Sequence, residues 1–84
     1  MANYLRFSVN FRDITESQKV EGGWNEAAFI NRGLTNATVN NFLIEPGQSL
    51  SISGNVGEVC AEDWNVNFSG GSGLLNIVEK RYLV

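Results

Sequence analysis

Residues 44–57 read IEPGQSLSISGNVG, and this stretch leaves little room for any class but β. Pro46-Gly47 is a turn signal: proline presets φ at the first corner position, and glycine tolerates the positive φ of the next. The residues that follow alternate, with Leu50 and Ile52 on one side and Ser49, Ser51 and Ser53 on the other. A repeat of two belongs to a strand with one wet face. Gly54-Asn55 and Gly57 close the segment with a second turn. The whole stretch reads as one sheet corner of a small β-domain.

The same repeat occurs elsewhere. In residues 4–11, Leu5, Phe7, Val9 and Phe11 share a side, with Tyr4, Arg6, Ser8 and Asn10 opposite. In residues 64–69, Trp64, Val66 and Phe68 alternate with Asn65, Asn67 and Ser69. Three such rows predict a common core of Leu5, Phe7, Val9, Leu50, Ile52, Trp64, Val66 and Phe68. Residues 18–21 could add a short strand or turn. Residues 24–31 (WNEAAFIN) read as a strand between Gly22-Gly23 and Arg32-Gly33, because an uncapped helix of that length is marginal. Residues 34–44 carry two apolar pairs split by a turn or bulge at Asn40-Asn41. Residues 54–63 form a long connection expected to hold one helical or 3₁₀ turn, and GGSG at 70–73 is expected to be a hairpin tip. The last strand, 74–84, sets Leu75 and Ile77 on one face and Val78, Lys80 and Tyr82 on the other.

Six or seven short strands predict an all-β domain spanning 1–84: a small antiparallel β-sandwich, or a jelly-roll or Ig-like barrel. At 84 residues a single core is small, and such domains usually draw extra stability from disulfides, metal or association. One Cys and no His exclude an internal disulfide and the usual zinc ligand sets. Association is what remains.

Charge narrows the partners. The net charge is −3, and Lys80-Arg81 is the only adjacent basic pair, so phosphate neutralisation and nucleic-acid binding are not expected. Polarity comes instead from neutral groups, with eleven Asn and nine Gly. No apolar run reaches membrane-spanning length. The N-terminal segment alternates rather than forming the apolar stretch of a signal peptide, and the lone Cys suits a reducing compartment, so synthesis in a cytoplasm is expected.

Catalytic chemistry finds little to work with. Without His there is no triad. Cys60 lies among Glu58, Glu62 and Asp63, not beside the cation or base that activates a thiol, and reads as a small inert residue. Those carboxylates lack the spacing of a calcium loop and would need a cleft to hydrolyse a glycoside. GGSG lacks the Lys and helix of a phosphate loop. No catalytic residue, cofactor, metal or small-molecule substrate is therefore expected. Trp64 falls in a core row, while Trp24 could anchor an interface or stack on a sugar. Trp24, Phe29, Phe42, Leu43, Val78, Tyr82 and Leu83 are apolar and lie off the main core rows, which makes them candidate interface residues together with Lys80 and Arg81. Part of the Val78–Tyr82–Leu83 face is expected to be covered by another subunit.

A progression runs through Ile30, Asn31, Gly33, Val39, Asn40, Ile44, Pro46, Gly47 and Ser49, continues with Gly54, Asn55, Gly57, Glu58 and Phe68, and ends on Val78, Lys80 and Tyr82. It resembles small β-sandwich structural proteins of bacteriophage virions and covers about two thirds of the chain. The resemblance implies a non-enzymatic capsid, decoration, spike or tail component, located in the virion, whose partners are copies of itself and other virion proteins. A small carbohydrate- or cell-surface-binding β-sandwich module is the alternative.

Overall fold

A computed structural model describes residues 5–83. It contains eight strands: β1 (Phe7–Glu16), β2 (Gln18–Val20), β3 (Glu26–Asn31), β4 (Ala37–Val39), β5 (Phe42–Ile44), β6 (Ser49–Ser53), β7 (Trp64–Phe68) and β8 (Ser72–Tyr82). Within the described residues this exceeds the expected six or seven, because residues 37–44 divide into two strands and residues 18–20 form one of their own.

The pairing is nested. β1 pairs with β8, β2 with β7, β3 with β6 and β4 with β5, all antiparallel. The chain is thus one long ribbon, doubled back between β4 and β5 and then rolled. Successive rungs fall alternately into two four-stranded sheets, sheet I with order β1-β8-β3-β6 and sheet II with order β2-β7-β4-β5. This is a jelly roll.

Local chemistry sets its folds. Asn40 and Asn41 have φ of 48° and 68°, the left-handed pair that a two-residue type I′ hairpin turn requires and that Asn tolerates. At Pro46-Gly47, Gly47 has φ 84° and the Gln48 N–H donates to the Glu45 carbonyl at 2.9 Å. This turn carries the chain from β5 in sheet II to β6 in sheet I, the corner expected from sequence. GGSG behaves differently from expectation. β7 and β8 lie in different sheets, so Ser69–Gly71 turns a second corner instead of forming a hairpin tip, with Gly70 and Gly71 at φ 82° and 89°. Residues 54–63 hold no helical turn. The buried Asn25 amide fastens that connection by donating to the Asn55 and Glu58 carbonyls at 2.9 and 2.7 Å.

The core lies between the sheets. Ile14, Val20, Trp24, Ala27, Phe29, Ala37, Val39, Ile44, Val66, Phe68, Leu75 and Ile77 are buried, with Leu50, Ile52, Cys60 and Trp64 packed against them. Trp24, Phe29 and Trp64 form an aromatic cluster with centroids 5.7 to 6.3 Å apart. Trp24 and Phe29 are both fully buried, which removes them from the interface candidates. Two further amides take over part of the fastening that disulfides give other small domains. Asn31 on β3 donates to the Ile44 carbonyl of β5 at 2.8 Å and to the Thr35 carbonyl at 2.9 Å, and accepts from the Gly33 N–H at 3.0 Å. Asn40 Oδ1 accepts from the Asn65 N–H at 2.7 Å.

The row Leu5, Phe7, Val9, Phe11 has the expected period but the opposite orientation. These residues are 61%, 53%, 46% and 76% exposed. Directly opposed antiparallel residues share a face. Phe7, Val9 and Phe11 oppose Tyr82, Lys80 and Val78, whereas Ile14 and Arg12 oppose the buried Leu75 and Ile77. The inner row of β1 is therefore Ser8, Asn10, Arg12 and Ile14. The reason is length. The sheet II strands hold three to five residues, while β1 and β8 hold ten and eleven. At about 3.3 Å per residue, sheet II spans roughly 10–17 Å of a ribbon of about 33 Å. The overhang has no apolar layer above it. It holds instead an ion cluster around buried Glu79: Arg81 Nε donates to Oε2 at 2.8 Å, and Arg12 Nε lies 3.1 Å from Oε1 without hydrogen-bond geometry. The overhang also elongates the molecule to 53 × 19 × 17 Å.

Candidate functional site

The outer face of sheet I gathers the exposed apolar side chains. β1 contributes Phe7, Val9 and Phe11, and β8 contributes Val78 and Tyr82 in register with them. β3 adds Ala28 and Ile30, opposite Val78 and Asn76. β6 supplies a polar margin of Ser49, Ser51 and Ser53. Two shallow depressions mark this surface. One, of about 230 Å³, lies among Val9, Ala28, Ser51, Val78 and Lys80; the other, of about 520 Å³, lies among Phe11, Asp13, Ile30, Arg32, Asn76 and Val78.

Charges lie on either side of the Phe11–Val78 rung: Glu26 and Lys80 are level with Val9, between that rung and Phe7–Tyr82, and Asp13 lies beyond Phe11. Lys80 Nζ is 3.7 Å from Glu26 Oε2 and 5.3 Å from the centre of the Phe7 ring. On the other side Asp13, hydrogen-bonded to the Asn76 amide, shares the larger depression with Arg32. The Tyr82 hydroxyl is anchored by the Gly57 N–H at 2.8 Å, which leaves its ring at the rim.

The interface candidates separate accordingly. Val78, Lys80 and Tyr82 come together on this face, joined by Phe7, Val9, Phe11 and Ile30. Arg81 turns inward to Glu79 and the Glu21 carbonyl, so the Lys80-Arg81 pair does not present a joint basic contact. Leu83 lies just past β8, 49% exposed, its N–H donating to the Arg6 carbonyl at 2.7 Å. Phe42 and Leu43 are exposed on β5, an edge strand of sheet II, away from the patch. The residues missed from sequence are the odd positions of β1. One signal could have found them: Ile14, out of phase with Phe7–Phe11, is the β1 residue that opposes Leu75.

Sheet II carries a second, polar depression of about 640 Å³, lined by Ser17, Gln18, Lys19, Asn40, Asn41, Asp63, Asn65, Val66 and Asn67. Lys19 Nζ lies 3.2 Å from Asp63 Oδ2, and the Gly22 N–H donates to Oδ1 at 3.1 Å. The Gly22 hydrogen bond, with Lys19 beside it, holds the Asp63 carboxyl below its ordinary value. The Glu58 carboxylate accepts from the Asn55 N–H, while it is the backbone carbonyl of Glu62, not its carboxylate, that lies 3.7 Å from the Cys60 Sγ. Cys60 is half-buried, bonded through its backbone to Gly23 and Trp24. Among the described residues, no three His, Cys, Asp or Glu side chains converge as a metal-binding group. Trp24 offers no stacking platform, since it is fully buried, and the half-buried Trp64 packs on it at 5.7 Å.

Comparison with known protein families, with curated proteins and with solved structures finds no match to this chain.

Proposed function

We propose that this chain is a non-enzymatic structural subunit of a bacteriophage particle, a capsid, decoration, spike or tail component that works by packing against copies of itself and other particle proteins. One observation carries this reading: a sheet face with Phe7, Val9 and Phe11 open to solvent beside Val78 and Tyr82. A contiguous apolar patch of this size is often a contact surface. The sequence resemblance points the same way. Jelly rolls also occur in viral capsid domains, which is analogy at the level of fold alone. The reading places the mature protein in the virion after cytoplasmic synthesis and assigns it no cofactor, nucleic acid or membrane insertion. The test is mass spectrometry of purified particles from a host that expresses the chain. A stoichiometric component is expected, and its absence from the particles overturns the reading.

The amide-lined depression on sheet II favours a second reading, a carbohydrate- or cell-surface-binding module, because planar amides pair well with vicinal hydroxyls. Glycan-array binding that disappears in Asn41→Ala and Asn67→Ala would select it.

A further inference from the structure

We infer that the outer face of sheet I is a two-fold contact between copies of this chain, packed face to face across an axis that runs in the plane of the sheet at right angles to its strands. The inference rests on the assembly reading and names the surface and the partner.

Area is the first argument. Taking about 200 Å² for a whole phenylalanine and rather less for Val and Leu, the exposed fractions of Leu5, Phe7, Val9 and Phe11 offer on the order of 400 Å². The half-buried Ile30, Val78 and Tyr82 bring this to roughly 500 Å² per copy, so a pair buries about 1,000 Å², the threshold of a specific interface and the size of a weak one.

Charge selects the occupant. The chain is acidic overall, at −3, and two acidic surfaces repel. This face is neutral: Glu26 and Asp13 are balanced by Lys80 and Arg32. Two copies can meet here without stacking like charge.

The layout selects the axis. Across the strands, the face grades from the apolar row of β1 to the serines of β6. An axis along the strands would lay phenylalanines on serines. An axis at right angles to them, level with Phe11 and Val78, lays β1 on β1, with Phe11 against Phe11, and serines on serines. It also reverses the strand direction, so the Glu26–Lys80 doublet of one copy comes over the Asp13 and Arg32 side of the other. Val78, midway between the Lys80 and Asn76 positions of β8, then lies close to its own counterpart. Face-to-face sheets sit about 10 Å apart, which interdigitated Phe and Val side chains fill.

The test is light scattering after size exclusion, from about 1 µM to about 1 mM, on the parent, on Phe11→Glu and on Leu43→Glu as an exposed control on the other sheet. The parent and Leu43→Glu are expected to dimerise, with Phe11→Glu monomeric and unchanged in circular dichroism. In a Cys60→Ser background, Val78→Cys is expected to form a covalent dimer on mild oxidation, and Asn67→Cys on sheet II is not. A parent that is monomeric throughout overturns self-pairing, without bearing on whether the chain is found in particles. A parent that associates equally well as Phe11→Glu overturns this face. Cross-linking by Asn67→Cys but not Val78→Cys moves the contact to sheet II and overturns it too.

Discussion

Truncating Phe29 and Phe11 in parallel tests which side of sheet I is the inside. Phe29 is fully buried, its ring 6.3 Å from Trp24 and 6.0 Å from Trp64. Phe29→Ala removes a ring from a closed aromatic cluster and is expected to cost about 3–5 kcal/mol, the range for buried phenylalanines. Phe11 is 76% exposed. About a quarter of a ~200 Å² residue, or ~50 Å², is withdrawn from water, worth at most about 1 kcal/mol at 25 cal/mol per Å². A chain of this length has a reserve of roughly 4–13 kcal/mol, so the first change consumes much of it and the second little. Urea unfolding followed by fluorescence of Trp24 and Trp64 reads both. With a slope of about 1 kcal/mol per M, Phe29→Ala should lower the midpoint by roughly 3 M or more, and Phe11→Ala by less than about 1 M. Repeating the titration at several protein concentrations separates any linked association. If Phe29→Ala leaves no folded baseline, the milder Phe29→Leu must still cost more than Phe11→Ala. Equal costs, or a larger cost at Phe11, would refute the orientation of β1 described above, since a one-residue slip exchanges the two faces.

Asn31→Ala should cost about 2–4 kcal/mol in the same assay, because it strips the Ile44 and Thr35 carbonyls and the Gly33 N–H of their partner; a loss below about 0.5 kcal/mol would show that the two sheets do not depend on this amide. Glu79→Gln leaves Arg12 and Arg81 facing a neutral group, and should lower stability by about 1–3 kcal/mol, less than a wholly buried pair because both arginines are partly exposed; an unchanged urea midpoint would contradict this. Gly22→Ala should cost about 1–3 kcal/mol, since a Cβ there would run into the Glu62 carbonyl, and wild-type stability would disprove that approach. Asp63 has a folded pKa below its unfolded one, so its contribution is complete above the unfolded value of about 3.9 and is lost as pH falls through the lower folded value. Asp63→Asn should therefore show a shallower loss of stability from pH 5 downward than the parent does; parallel acid limbs would count against the Gly22 and Lys19 contacts.

Much of the fold is legible from alternation and turn chemistry. Leu50, Ile52, Val66 and Phe68 point as their period requires, and Pro46-Gly47 and Asn40-Asn41 turn as their residue types demand. Period fixes which residues share a face but not which face is dry. On β1 the outward row, Phe7, Val9 and Phe11, is more apolar than the inward Ser8, Asn10 and Arg12, so composition alone inverts it. The inward row is polar because it opposes Glu79 and Arg81, a nonlocal relation that no window along the chain contains. Trp24 was ambiguous for the same reason: it precedes β3, and its burial depends on Trp64 forty residues later. The candidate face is half legible, since β8 shows two apolar sides in its own sequence, while alternation alone places its partners on β1 in the core.

The nested pairing has a consequence for how the chain is made. Each outer rung joins residues further apart in sequence, from three across the Asn40-Asn41 turn to seventy-five between Phe7 and Tyr82. The tip can close as soon as it leaves the ribosome, but β8 sits between β1 and β3 and is the last of these eight strands to be synthesised. Until then sheet I has no middle, and Phe29 has no Ile77 beside it. Loops this long close slowly, and chains dominated by nonlocal contacts fold in milliseconds to seconds. Translation at roughly 5–20 residues per second therefore leaves the earlier strands waiting on the order of seconds before β8 can join them. A stalled chain lacking its last ten residues should be protease-sensitive, and the sheet edges it leaves open are the ones a chaperone would have to guard.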